Sequence, residues 1–285
     1  MQDTIIRKLN LNSKRLSKGH RRIAAFIEEH YDKAVYMTAA RVGELVDVSE
    51  STVVRFAIAM GYEGYPQMQR TLREIVRHRL TSTQRISIHD EVDEGSLPEE
   101  VLRNDMRNIK ATIDSLDHEV FRQVVDTLCE ARTHYILGLR SAAPMAQFMA
   151  YYLHYIFPDV RLIDNTINDT FETVARIQPG DVLIAISFPR YSNRTLESTR
   201  FARTRGVKVI GITDGELSPL HATCDMCLDA RTEMASFADS LAAPLSLINA
   251  LIAALGQRNR EAIQRNFTEM EQVWDAFRIY ASSDA

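Results

Sequence analysis

The sequence predicts two fold classes in one chain: an all-α N-terminal domain, then an α/β domain built on a mainly parallel sheet covered by helices. Three observations predict this. Up to about residue 80, apolar residues recur at helical spacings of three and four, as in Ile23, Phe26 and Ile27, or Val53, Phe56, Ala57 and Met60. From Thr133 onward, short apolar runs such as VLIAIS alternate with helical stretches, the pattern of strands buried on both sheet faces. Charge divides at the same place. Residues 1–80 hold 14 Lys+Arg against 9 Asp+Glu, a net of +5, and residues 81–285 hold 20 against 29, a net of −9. A basic head on an acidic body directs a polyanionic partner to the head alone.

A chain of 285 residues accommodates two domains. The expected division is 1–80, a linker over 81–97 where periodicity gives way to charged and small polar residues, and 98–285. The longest apolar runs, such as Val182 to Ile186, are too short to span a bilayer, and MQDTIIRKLN lacks a signal-peptide core. Three cysteines do not make a disulfide framework. These features predict a cytoplasmic protein with no membrane partner.

In the first domain, Ile5, Ile6 and Leu9 suggest a short helix. Leu16 to His30 is a stronger one, capped by Ser17, with Lys14, Arg15, Lys18, Arg21 and Arg22 at its start. Cations there oppose the helix dipole, which hints at phosphate contact; a solvated basic face is the alternative. Asp32 to Met37 reads as a linking helix. Thr38 to Gly61 then reads as two short helices around a tight polar turn at Asp47-Val48-Ser49. Thr38 caps the first and Ser49 the second, and Gly61 ends the second where a left-handed residue is usual. Val53, Phe56, Ala57 and Met60 share the buried face, leaving Ser51, Thr52 and Arg55 on the other. Small polar residues at the start of a second helix, with arginine one turn later, suit a helix that reads the DNA major groove. Thr38, Ser49, Ser51, Thr52 and Arg55 are the candidate DNA-binding residues. After Gly64 and Pro66, Met68, Leu72, Ile75 and Val76 mark another helix.

In the second domain, Pro98 to Ser115 and His118 to Glu130 are expected as helices, then HYILGL as a strand and Ala143 to Phe157 as a helix. VRLID, VLIAIS, VKVIGITD and CDMCLDA supply the remaining strands. DTFETVARI, Thr195 to Arg205, Phe237 to Leu255 and Asn259 to Phe277 supply the helices. Two strand ends run into helices through polar loops, Gly138-Leu139-Arg140-Ser141 and Ser187 through Thr195. Free amides and hydroxyls at such a junction make an anion site, with Arg140, Arg190 and Arg194 adding cationic donors. The candidate ligand residues are Arg140, Ser141, Ser187, Arg190, Ser192 and Thr195; helix capping is the plainer role for the serines.

The segments VSESTVVRFAIAMGYEGYPQMQ, YILGLRSAAPMA, ISFPRYSNRTLE and RGVKVIGITDGELSPL, with the closing apolar helix, resemble the RpiR-type transcriptional regulators over most of the chain. The resemblance implies an N-terminal helix-turn-helix domain and a C-terminal sugar-isomerase-type (SIS) domain. That domain would be a three-layer α/β sandwich with a mainly parallel five-stranded sheet that binds phosphorylated sugars or related metabolites. Two loops depart from the family pattern. Gly-x-Gly-x-Ser is here Gly138, Arg140 and Ala142, and Ser-x-Ser-Gly-x-Thr is here Ser187, Pro189, Arg190 and Ser192. Arginine stands where glycine is usual in both, which limits close backbone approach to a phosphate but favours an anionic ligand.

The expectation is a DNA-binding regulator acting as a homodimer or tetramer on a pseudo-palindromic double-stranded operator, with an anionic metabolite as effector. The helices around 143–157 and 237–255 are the expected assembly surfaces. No cofactor and no metal are expected, since Cys224-x-x-Cys227 alone cannot complete a zinc site. Strand alternation would set those two sulfurs on opposite faces. Two other readings stay open: a sugar-phosphate isomerase using Glu233 or His221 as base, or a DNA-binding protein with a ligand-free SIS dimerisation module.

Overall fold

The computed structural model describes residues 16–77, 82–87, 95–164 and 169–280. The expected helix at Ile5–Leu9, Lys14, Arg15 and residues 81 and 88–94 of the expected linker lie outside them. The described chain divides into two units, one formed by the chain up to Pro98 with Ala235–Ala238, the other by the remainder.

The first unit is helical: α1 Lys18–Glu29, α2 Tyr31–Ala34, α3 Ala39–Leu45, α4 Glu50–Ala59, α5 Tyr65–Arg77 and α6 Ser82–Ser87. Helix α6 lies within the stretch expected as irregular linker. Helix α1 begins where Ser17 Oγ accepts the His20 amide at 3.2 Å, and its Ile23 and Ile27 are buried. Arg22, among the cations at the start of α1, braces the unit. Its Nη1 donates to the Asp47 carbonyl at 3.2 Å and to Asp47 Oδ2 at 3.3 Å.

The second unit opens with α7 Leu97–Asp114 and α8 His118–Glu130, then alternates: β1 His134–Gly138, α9 Ala143–Leu153, β2 Val160–Ile163, α10 Thr170–Val174, β3 Val182–Ile186, α11 Asn193–Thr204, β4 Lys208–Thr213, β5 Met226–Asp229, α12 Ala242–Arg258 and α13 Arg260–Phe277. The five strands are all parallel, in the order β2-β1-β3-β4-β5. Every residue of β1 and β3 is buried. Alternation splits their side chains between two cores. Ile136, Ile184 and Ile186 join Met149, Leu153, Ile248 and Leu251 of α9 and α12 on one face. Tyr135, Leu137, Leu183 and Ala185 join Val174, Leu196 and Ala202 of α10 and α11 on the other. Each buried large aliphatic side chain, two in β1 and four in β3, contributes roughly 1.5–3 kcal/mol, so the sheet is the rigid base for its loops.

Two sequence readings, the start of α12 and the placement of the cysteine sulfurs, are corrected here. Helix α12 begins at Ala242 rather than Phe237, and Phe237 is exposed. Helices α9 and α12 bury one face, with Met145, Met149 and Leu153, like Leu247, Ile248 and Leu251, in the core, and leave Tyr151, Tyr152 and Leu245 exposed on the other. The two cysteine sulfurs lie on one side. A Cβ at Gly211 would sit 2.8 Å from Cys227 Sγ and 3.0 Å from Cys224 Sγ. Strand β5 starts only at Met226, so Cys224 precedes it and the period of two does not reach back that far.

Candidate functional site

Each unit carries one candidate site. In the first, Thr38 Oγ1 accepts the Arg41 amide at 3.2 Å and starts α3. The chain then turns tightly: the Val48 amide donates to the Gly43 carbonyl at 2.9 Å, and Asp47 takes a φ of 54°. Gly43 is required by this approach, since a Cβ there would lie 2.8 Å from the Val48 carbonyl oxygen. Ser49 occupies the N-cap position of α4, but its hydroxyl does not cap the helix. Ser49 Oγ instead lies 2.9 Å from Ser51 Oγ and 2.8 Å from Thr52 Oγ1. The three hydroxyls thus form one polar cluster at the start of α4. Arg55 leans back onto it, with Nε donating to the Ser51 carbonyl at 3.3 Å and Nη2 to Thr52 Oγ1 at 3.4 Å. Behind this face Val53, Phe56 and Ala57 are fully buried. His20 of α1 meets Phe56 edge-on at 5.6 Å; burial, then the nearby Arg55 charge, hold its pKa below the usual histidine value. The geometry is a helix-turn-helix with Ser51 and Arg55 facing solvent on a helix whose other side is packed.

In the second unit, the strand order reverses between β1 and β3, whose C-terminal ends are adjacent, with Gly138 opposite Ile186. A crevice at such a switch point is where open parallel sheets bind ligands. The loop after β1 runs through a short 3-10 turn, Arg140–Ala142, into α9, whose N-terminus has no side-chain cap. Gly138 permits the packing: a Cβ there would lie 2.7 Å from both the Ala142 carbonyl oxygen and Ala146 Cβ. The loop after β3 ends at Ser192, whose hydroxyl accepts the Thr195 amide at 3.4 Å and caps α11. Ser187 is buried, while Arg140, Ser141 and Arg190 are exposed.

Two details were beyond sequence reasoning. Arg140 and Arg190 both adopt left-handed backbone, φ 59° and 66°. The loops therefore keep a glycine-type course although glycine is absent, at roughly 1–2 kcal/mol per residue. Thr195 Oγ1 is fully buried in the first turn of α11 with no hydrogen-bond partner among the described residues. Arg194, considered as a third cationic donor, is bound to Asp169 Oδ2 at 2.6 Å. Asp169 also accepts the Phe171 amide and caps α10; that bond first, then Arg194, hold its carboxyl below the usual range. Sequence reasoning also missed the pairing of Tyr191, in the β3 loop, with Asp214 after β4, where the phenol donates to Oδ1 at 2.6 Å. The only hint was an acidic residue directly after an apolar strand.

A helix-turn-helix unit joined to a parallel α/β unit with hydroxyl- and arginine-bearing strand-end loops defines a two-part DNA-binding transcriptional regulator. The chain belongs to the RpiR family of such regulators: the family model "Helix-turn-helix domain, rpiR family" matches residues 4–78, and the SIS-domain model matches residues 127–254. Among characterised relatives it is similar to the HTH-type transcriptional regulator HexR of Pseudomonas aeruginosa, at 28% identity over 223 residues, covering 75% of this chain and 74% of that protein. The sugar isomerase domain of an RpiR transcription factor from Sphaerobacter thermophilus superposes with a TM-score of 0.60 at 25% identity, over 62% of this chain and 99% of that one. NanR of Vibrio vulnificus, solved in complex with ManNAc-6P, also has a TM-score of 0.60, at 21% identity, over 96% of this chain and 98% of that one, and shares the fold. Among the described residues, no helix is long and apolar enough to cross a membrane.

Proposed function

We propose that this regulator senses an anionic sugar derivative, a phosphorylated sugar or sugar acid, at the β1/β3 switch point. The observation that carries the reading is Thr195: a fully buried hydroxyl without a partner among the described residues, in the first turn of α11 and one turn from the capping Ser192. An unpaired buried hydroxyl destabilises the empty protein, and a phosphate oxygen at the helix N-terminus would satisfy it. Ser187 and Ser192 add hydroxyls from the same loop, and Ser141 adds one from the loop after β1. Arg140 and Arg190 bring guanidinium groups on backbones held in the left-handed region, a strain of the kind found at ligand clamps. That a related fold has been solved with ManNAc-6P is consistent with this ligand class.

The output is DNA reading by Ser51, Thr52 and Arg55, oriented by Thr38 and Ser49, on a pseudo-palindromic operator bound by a homo-oligomer. Sensing is favoured over isomerisation because the SIS unit is joined to a helix-turn-helix unit. The test is a thermal-shift screen of the full-length protein against phosphorylated sugars and sugar acids, followed by turnover assays on any ligand found. Stabilisation without turnover supports the reading. Interconversion of aldose and ketose phosphates would replace it with the isomerase, and absence of stabilisation by any compound would leave a ligand-free SIS module.

A further inference from the structure

Helix α7 is built the wrong way round for a packed helix. Its buried residues are Asn104, Asn108 and Thr112, four apart and so on one face, while Leu102, Met106 and Ile113 are exposed. What holds that face in place is hydrogen bonding to one loop. Asn104 Nδ2 donates to the Glu233 carbonyl at 2.6 Å, and Asn108 Nδ2 donates to the same oxygen at 2.9 Å. The Glu233 amide returns a bond to Asn108 Oδ1 at 3.1 Å. Thr112 Oγ1 accepts the Arg231 amide at 2.9 Å and donates to the Asn108 carbonyl at 2.8 Å.

That loop leaves the C-terminal end of β5, at the same sheet edge as the candidate anion site. Arg231 Nη1 reaches the Asp214 carbonyl at 3.4 Å, next to Gly215, where a Cβ would lie 3.2 Å from the same nitrogen. Asp214 Oδ1 in turn holds the hydroxyl of Tyr191 at 2.6 Å, and Tyr191 stands between Arg190 and Ser192 in the anion loop. The connection is therefore continuous: anion loop, Asp214, Arg231, then Thr112 and Asn108 on α7. In sequence, α7 is the first helix after the segment that leads out of the helix-turn-helix.

We infer that this hydrogen-bonded relay carries effector occupancy to α7, with Thr112 and Asn108 as the positioning residues that read the Arg231–Glu233 loop. The inference rests on the proposed anion site. The physical reason lies in the kind of contact. An apolar seam tolerates small shifts because its attraction has no direction, whereas hydrogen bonds weaken steeply with misalignment. A helix seated on directional bonds changes register or fraying when its acceptor loop moves. An anion drawing Arg190 and Ser192 inward displaces Tyr191, and with it the Asp214 contact that steadies Arg231.

The test uses full-length wild-type protein with Thr112→Val and Thr112→Ser variants, and glucose 6-phosphate and 6-phosphogluconate as probes. Calorimetry measures probe binding, and hydrogen–deuterium exchange follows the amides of residues 99–114. The expected result is a severalfold change in α7 exchange on probe binding by wild type. Thr112→Val binds the same probe with unchanged affinity but loses most of that change, and Thr112→Ser, which keeps the hydroxyl, restores it. Probe binding with α7 exchange unchanged in wild type would overturn the relay and leave the anion site standing. A full exchange response in Thr112→Val would also overturn it. Absence of binding by either probe would overturn the site reading and the relay together. Should Thr112→Val fold poorly, Asn108→Asp, which keeps the acceptor for the Glu233 amide but loses the donor, gives the same comparison.

Discussion

Replacing Thr195 by valine tests whether its hydroxyl is reserved for a ligand. The two side chains have nearly the same shape, so the change swaps one hydroxyl for one methyl at a fully buried position. In the empty protein that hydroxyl has no partner among the described residues. Burying such a group costs about 1–3 kcal/mol by mutational measures. Its removal is expected to stabilise the unliganded protein by about 1 kcal/mol, the low end of that range, because the new methyl must fit an already packed site. In the unfolding transition of the C-terminal unit this is a rise of roughly 2–4 °C. The liganded protein reverses the sign. A hydrogen bond to a charged oxygen is worth about 1.5–3 kcal/mol, so affinity falls on the order of 10–100-fold. At a concentration 100 times the wild-type Kd, where the ligand adds about 2.7 kcal/mol, the variant keeps about 0.4–1.4 kcal/mol. Scanning calorimetry with and without ligand measures both halves. A variant less stable than wild type when empty would refute the reasoning, because it would mean the hydroxyl already makes a structural bond.

The other predictions follow the same geometry. Arg140→Gly relieves the left-handed strain at φ 59° and should stabilise the empty protein by roughly 1 kcal/mol while weakening effector binding; denaturant titration and calorimetry check the two effects. Arg55→Ala should cost operator binding on the order of 1–3 kcal/mol if Arg55 meets a base edge; gel-shift titration at fixed salt reads it, and unchanged affinity removes Arg55 from the interface. Gly138→Ala forces a methyl to 2.7 Å from the Ala142 carbonyl oxygen and Ala146 Cβ, so it should destabilise by about 1–3 kcal/mol and disturb the Arg140 turn. His134 is fully buried, with Nε2 on the Leu128 carbonyl at 2.7 Å and Nδ1 without a partner among the described residues, and burial holds its pKa below 6.5. The unfolded chain binds the proton more readily, so stability is full above pH 6.5 and is lost as pH falls from there toward the folded value. Denaturation between pH 8 and 5 should show this slope, and His134→Gln should flatten it.

The elements of both units were readable because each follows from a local period. Three-and-four spacing places Val53, Phe56 and Ala57 on one face whatever surrounds them, and fully apolar runs such as VLIAI suit only a doubly covered strand. The loops were readable as polar junctions, and their serines and arginines by type alone. The sequence by itself thus determined the two-part architecture, the buried face of the second helix and the side-chain chemistry at two strand ends. Tertiary structure decided which of those groups remain available. It tied Arg194 to Asp169 and Arg22 to Asp47, turned Ser49 toward two hydroxyls instead of an amide, and left the Thr195 hydroxyl without a partner among the described residues. It also brought the two cysteine sulfurs together over Gly211, where alternation had set them apart. The reason is the range of the forces. Periodicity records where apolar surface must go, whereas the partner of a polar group is set by the exact local backbone, as at Ser49, or by a residue 25 positions away, as for Arg22 and Arg194, whose approach exists only once the unit has folded.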